Sequence, residues 1–108
     1  MSSLTSKGII YLITNKVNGL SYIGQTTTSL AKRLSKHKYD AFNRPKGLLH
    51  NAIAEHGIEC FHMTPLFTAF HAEELDRVEV EFIKEFDTLN NGYNSTLGGK
   101  GRRLYENT

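Results

Sequence analysis

Residues 8–14 read Gly-Ile-Ile-Tyr-Leu-Ile-Thr and residues 20–25 read Leu-Ser-Tyr-Ile-Gly-Gln, with Asn18-Gly19 just before the second run. Both runs are rich in β-branched and aromatic side chains, the composition of strands. Asn-Gly is the strongest short hairpin signal, because both residues tolerate positive φ. The segment therefore predicts a hairpin, and a hairpin this close to the N-terminus commits the chain to an antiparallel sheet. With a two-residue turn at Asn18 and Gly19, Val17 faces Leu20, Asn15 faces Tyr22 and Ile13 faces Gly24. Side chains alternate across a strand, so Tyr11 and Tyr22 project from one sheet face. A longer turn is the alternative.

Beyond the hairpin the period changes. Thr28 or Ser29 can cap a helix running to about Ala41, with Leu30, Leu34 and Ala41 as its apolar stripe. Arg33 and His37 are one turn apart along an edge of that stripe and can reach one common point. Residues 42–46, with Pro45, break the chain. A second helix is predicted from about Gly47 to His56, where Gly57 is a natural stop. Residues 58–69 read as a third strand, and Pro65 within it points to a sheet edge. Cys60 lies in that run and reads as a small buried hydrophobe, and a lone cysteine excludes an internal disulfide. A third helix is predicted from about Ala72 to Phe86. Leu75, Val78, Phe82, Ile83 and Phe86 form its apolar arc, and at 100° per residue Glu79 falls near the arc's centre. The order is ββααβα, an α+β fold with a three-stranded antiparallel sheet flanked by helices.

A chain of 108 residues suits one small domain with a single core. No apolar stretch reaches membrane-spanning length and the N-terminus lacks a signal-peptide core, so the expectation is an intracellular protein with no membrane partner. Net charge is +2, but its distribution is uneven. Between Ser29 and Gly47 stand Lys32, Arg33, Lys36, Lys38, Arg44 and Lys46 against Asp40 alone. Between Ala72 and Asp87 seven acids face Arg77 and Lys84, and Lys100, Arg102 and Arg103 follow in a basic tail. Opposed patches suit a polyanion-binding face with a separate acidic element. The competing reading of each run is the solvated face of a helix. His50, His56, His62 and His71 show no metal-ligand spacing and read as solvated or packing residues.

Taken together, Ile9-Ile10-Tyr11, Tyr22-Ile23-Gly24, Arg33 with His37, Glu79 and the turn Gly92-Tyr93-Asn94 resemble the GIY-YIG nuclease family, in the family's order, from Gly8 to about Gly99. Gly8 stands one place further out than the family name implies, and the segment from Gly24 to Arg33 is a residue longer than in some relatives. The resemblance implies a divalent-metal-dependent DNA endonuclease, of the homing, mobile-element or phage type, hydrolysing one phosphodiester per active site. It implies Glu79 as the ligand of Mg²⁺, with Mn²⁺ as a possible substitute. The reading from residues alone leaves an alternative for Glu79, a structural ion pair with a group such as Arg33. By resemblance Arg33 clamps the scissile phosphate, a task for a planar, permanently charged fork. By the same resemblance Tyr11 lies beside the attacking water and accepts or relays its proton, with His37 behind it, and Tyr22 positions water or phosphate by hydrogen bonding. Asn94 supports the site by hydrogen bonding. Gly24 either lets the phosphate backbone approach or relieves crowding. Lys32, Lys36, Lys38, Arg44 and Lys46 are candidate DNA contacts beside Arg33.

Residues 1–99 are expected to form the catalytic domain, a monomeric unit, and residues 100–108 a basic tail or the start of a linker. The alternative function is a nucleic-acid-binding module that keeps the fold without chemistry. A metal-binding structural protein is excluded by the want of clustered Cys and His ligands.

Overall fold

The two strand runs pair with a longer loop than Asn18-Gly19 alone would make. The computed structural model describes residues 6–98, so the basic tail and its expected linker lie outside the described residues. Strand β1 is Gly8–Asn15 and β2 is Ser21–Thr26. Tyr11 lies opposite Gly24 and Ile13 opposite Tyr22, a shift of two residues from the pairing of a two-residue turn. The loop spans residues 16–19 and is closed by the Asn15 N–H donating to Leu20 O at 2.8 Å. Asn15 Oδ1 accepts from Val17 N and Asn18 Oδ1 accepts from Leu20 N, each at 2.9 Å. These side-chain bonds shape the loop, and within it only Gly19 takes a positive φ, 79°. A slip of two residues preserves the face of every side chain. Tyr11 and Tyr22 do share a face.

Helix α1 is Leu30–Asn43, capped by Ser29, whose hydroxyl accepts from Lys32 N at 3.1 Å. It runs two residues past the expected end and stops just before Pro45, whose ring disfavours helical geometry at Arg44. Helix α2 is Leu48–His56, ended by Gly57 at φ 91°. A short 3₁₀ turn, Ile58–Cys60, precedes strand β3, Phe61–Ala69. Cys60 therefore sits in a turn and not in a strand. It is half-buried, and its thiol donates to His56 O at 3.2 Å. Helix α3 is Ala72–Phe86, as the apolar arc predicts.

The sheet order is β2-β1-β3, wholly antiparallel, so β1 is central and β3 is an edge. At Pro65 the register of β1 and β3 shifts; Ile10 faces Phe67 and Tyr11 faces Pro65, which makes Leu66 the extra residue of a bulge. The two faces of β1 carry different cores. Tyr11 and Ile13 pack with Ala41 of α1 and with Leu49, Ala52 and Ile53 of α2. Ile10 joins Ile23 and the α3 residues Leu75, Val78 and Ile83 on the other face.

Strand β2 is the second edge, and the C-terminal turn covers part of it. Tyr93 N donates to Ser21 O at 2.8 Å. The Asn94 carboxamide accepts from Ile23 N at 2.8 Å and donates to Ile23 O at 2.9 Å. One side chain thus replaces a neighbouring strand at Ile23, where an open edge would expose unpaired backbone groups.

Gly24 is buried, and a Cβ there would strike the Tyr11 hydroxyl and come within 2.7 Å of the Tyr22 ring. Of its two expected roles, the geometry gives it relief of crowding. Gly24→Ala should therefore destabilise the fold by about 1–3 kcal/mol, the range for overpacking. Urea unfolding of the two proteins measures the difference, and a stability equal to the parent's would show that the tyrosine rings yield freely.

Candidate active site

Because cross-strand neighbours share a face, Tyr11, Ile13, Tyr22 and Gly24 point toward α1 and α2, whereas Gln25 points toward α3. Groups from opposite sides of the sheet can meet only around its rim, and here they do so at the β2 edge. There Tyr22, Gln25 and Thr26 of the strand join Lys32, Arg33 and Lys36 of α1 and Glu79 of α3 around a cavity of about 810 Å³. A second cavity of about 400 Å³ shares Tyr22, Arg33, Lys36, Glu79, Thr96 and Gly98 with the first and continues to Lys46 and His50. The six shared residues stand where the two hollows adjoin.

Tyr11 is fully buried and lines neither hollow. Its hydroxyl accepts from Arg33 Nε at 3.2 Å and lies 2.8 Å from His37 Nε2. His37, itself only 2 % exposed, places Nδ1 3.0 Å from His50 Nε2. His50 is buried too, and its Nδ1 accepts from the Lys46 backbone N–H at 2.9 Å. Burial dominates the protonation of this row. It pushes the Tyr11 phenol up, with Tyr22 adding to the effect and Arg33 opposing it. Burial likewise raises Tyr22, with the Glu79 carboxylate adding to it. His37 is pushed down to about 3, by burial first and then by the Arg33 and His50 charges. His50 is lowered, again mainly by burial. Two neutral phenols and two neutral imidazoles thus back a permanently charged guanidinium.

Glu79 is 7 % exposed, and the carboxylate that periodicity places in the apolar arc is indeed buried. Its Oε1 accepts from Gln25 Nε2 at 2.8 Å, and the same amide donates to Asp76 Oδ1 at 3.0 Å. Gln25 thereby ties β2 to two turns of α3. Of the other expected cations, Lys32 lines the larger hollow, Lys36 both and Lys46 the smaller. Lys38 and Arg44 are exposed outside both. Lys36 also pairs with Asp40 at 3.0 Å, and that hydrogen bond holds the Asp40 carboxyl below the usual range.

Among the described residues, no three His, Cys, Asp or Glu side chains stand close enough to cage a metal. A zinc or calcium cage is therefore not built from those side chains. One carboxylate on an open, cation-rich hollow suits Mg²⁺, which keeps several waters and takes the rest of its ligands from substrate phosphates. The donor set fits that ion through Glu79.

Sequence reasoning singled out Tyr11, Tyr22, Arg33, His37, Glu79 and Asn94; the structure gathers the last five around the smaller hollow and puts Tyr11 on the central strand, buried behind Arg33 and reaching neither hollow. It missed His50, read as a solvated or packing residue but in fact hydrogen-bonded to His37. Pro45 and a turn separate the two histidines in sequence, so no helical spacing links them. It also missed Gln25, whose only signal is its place next to Gly24 on an edge strand.

His37 gives the site a pH signature. Its folded pKa, about 3, lies below the ordinary value near 6.5, so the unfolded chain takes up the proton first. Its contribution is complete above about pH 6.5 and is lost as pH falls toward 3, by at most ~1.4 kcal/mol per pH unit. Urea unfolding at pH 7.5 and pH 5 should show lower stability at pH 5, and His37→Asn should lose less over that interval. Equal stability at both pH values would contradict a buried neutral imidazole.

Protein 146R of Invertebrate iridescent virus 6, whose name records an MSV199 domain, is 38% identical over 100 residues, covering 91% of this chain and 39% of the viral protein. SegD of Enterobacteria phage T4, assigned as an endonuclease, is 29% identical over 96 residues, covering 88% of the chain and 40% of its own length. The chain thus spans about two fifths of these curated relatives. Among solved structures, a mutant catalytic domain of intron endonuclease I-TevI superposes with a TM-score of 0.74 at 26% identity, over 83% of this chain and 94% of that domain. The fold, with its three-stranded antiparallel sheet and three helices, is that of the I-TevI domain. The family model of the GIY-YIG catalytic domain matches residues 7–94, and the chain belongs to that family.

Proposed function

We propose that the chain is a DNA endonuclease that hydrolyses one phosphodiester per active site and depends on a divalent metal, Mg²⁺ with Mn²⁺ as a substitute. The observation that carries this reading is Arg33 on the wall of both hollows, with Glu79 also on those walls and Tyr11 behind it. The family match and the likeness to an intron endonuclease support it. With Nε engaged by Tyr11, the two Nη groups of Arg33 remain to clamp non-bridging phosphate oxygens, where charge grows as water attacks. Lys32, Lys36 and Lys46 flank that point along the two hollows and attract the neighbouring phosphates, while Lys38 and Arg44 extend the positive field. Tyr22, a lining residue, orients water or phosphate, and Tyr11 with His37 holds Arg33 from behind. Glu79, steadied by Gln25, holds the cation, which when bound polarises the phosphodiester and stabilises the departing oxygen.

The relatives bear on the type of enzyme. Viral, phage and intron-encoded relatives support a nuclease of the mobile-element or phage kind, acting inside the cell that houses its DNA target. No described helix is long and apolar enough to cross a membrane. We read residues 1–99 as a monomeric catalytic unit, followed by a basic tail or linker.

The planar fork of Arg33 is the part of this account most open to test. Arg33→Lys keeps the charge and loses the two-point clamp. It should slow plasmid nicking by about 10²-fold or more, in the range of other charge-stabilising groups. Near-parental nicking by the lysine variant would reduce Arg33 to a diffuse positive charge. A parent protein that binds DNA yet nicks none under Mg²⁺ or Mn²⁺ would favour the non-catalytic binding module instead.

A further inference from the structure

The row of hydrogen bonds behind Arg33 has a direction, and a backbone amide sets it. An amide N–H can only donate, so His50 Nδ1, 2.9 Å from Lys46 N, is an acceptor without a proton. A neutral imidazole keeps its proton on the other nitrogen, and His50 is buried with its basicity lowered by that burial. His50 Nε2–H is then the donor across the 3.0 Å contact to His37 Nδ1. His37, neutral by the same reasoning, carries its own proton on Nε2 and donates it to the Tyr11 oxygen at 2.8 Å. Tyr11 thus accepts two N–H bonds, from His37 Nε2 and from Arg33 Nε.

We propose that His50 is a positioning residue for the cleavage reaction: anchored by the Lys46 amide, it fixes His37 as the Nε2–H tautomer and so holds the Tyr11 oxygen as a two-fold acceptor. This rests on the nuclease reading given above. His37 in this tautomer cannot take a proton from Tyr11, because the nitrogen facing the phenol is already occupied. The row therefore works as a strut with fixed polarity. Both donors favour negative charge on the Tyr11 oxygen, and that oxygen fixes Arg33 by its Nε. A reversed row, with Tyr11 donating to His37 and His37 Nδ1–H donating to His50, would require both nitrogens of His50 to be acceptors, which a neutral imidazole does not allow. The anchor is local to the fold: α2 begins two residues after Lys46, and Leu49 and Ile53, buried in the core, seat it.

Two measurements test this, one of them independent of cleavage. Long-range ¹H–¹⁵N correlation of the imidazoles at neutral pH, on the full chain, should show Nδ1 as the unprotonated nitrogen of both His37 and His50. His37 protonated on Nδ1 would overturn the proposal whatever the enzyme does. In His50→Glu the carboxylate offers only acceptors, and His37 should switch to the Nδ1–H form; failure to switch would also overturn it. For the reaction, His50→Gln presents an N–H donor near the place of Nε2, whereas His50→Leu presents none. With both variants folded by thermal melt, Gln should keep most of the parent's nicking rate and Leu should fall about 10-fold or more below Gln, as outer hydrogen-bond partners of working histidines do. The fall should appear in kcat rather than KM. Equal rates for Gln and Leu in a parent that nicks would make His50 a packing residue and refute the positioning role. A parent that nicks nothing would instead refute the nuclease reading, and the tautomers would still stand or fall by the NMR spectra.

Discussion

Burying a phenol hydroxyl without partners costs about 1–3 kcal/mol, and Tyr11 buries its hydroxyl completely. That one requirement organises half of the molecule. The strand places the ring in the core beneath α1 and α2, and the oxygen finds its partners on Arg33 and its neighbour His37 one turn away. His37 in turn needs a partner inside, and α2 supplies His50. Strand, first helix and second helix are thereby linked by a row of polar contacts running through the layer beneath the two helices. A row satisfied at every joint is rigid, and rigidity is what a guanidinium needs to present a fixed fork.

The other half depends on where the sheet ends. Glu79 belongs to α3, on the opposite face from Tyr11, and it reaches the basic helix only because β2 is an edge. The Asn94 carboxamide closes the backbone groups of that edge at Ile23, and Gln25 holds Glu79 against it. The basic run of α1 and the acidic run of α3 therefore belong to two layers that meet along one line. Arg33, Lys36 and Glu79 all stand at that line. Opposite charges concentrated there suit a phosphate on one side and its counter-cation on the other.

Much of this was legible in the sequence, and the reasons differ by element. The shared face of Tyr11 and Tyr22 survived a wrong loop length, because the true register differs by two residues and parity alone decides the face. The position of Glu79 followed from helical period over a long, strongly patterned segment. The span of α3 was read correctly for the same reason. Cys60 was misplaced because a three-residue 3₁₀ turn and a strand start look alike in an apolar run. His50 was hidden because its partner lies across a proline break, where no periodicity operates. The burial of Tyr11 behind Tyr22 and Arg33 was hidden too, since two tyrosines on one face carry no sign of which is nearer solvent. Contacts within an element were readable from spacing; contacts between elements required the fold.

The meeting of Arg33 and Glu79 at the sheet edge is the core of the functional account, and metal-dependent nicking by Glu79→Gln tests it most directly. Supercoiled plasmid is titrated with Mg²⁺, and DNA binding of both proteins is measured alongside. The account predicts nicking by the parent that requires added Mg²⁺ and stops in EDTA. The glutamine variant should bind DNA about as well and nick about 10²-fold more slowly or less, since it loses the charge that holds the cation. Parental nicking that persists in EDTA, or a glutamine variant that nicks at nearly the parental rate, would contradict it and place the chemistry elsewhere.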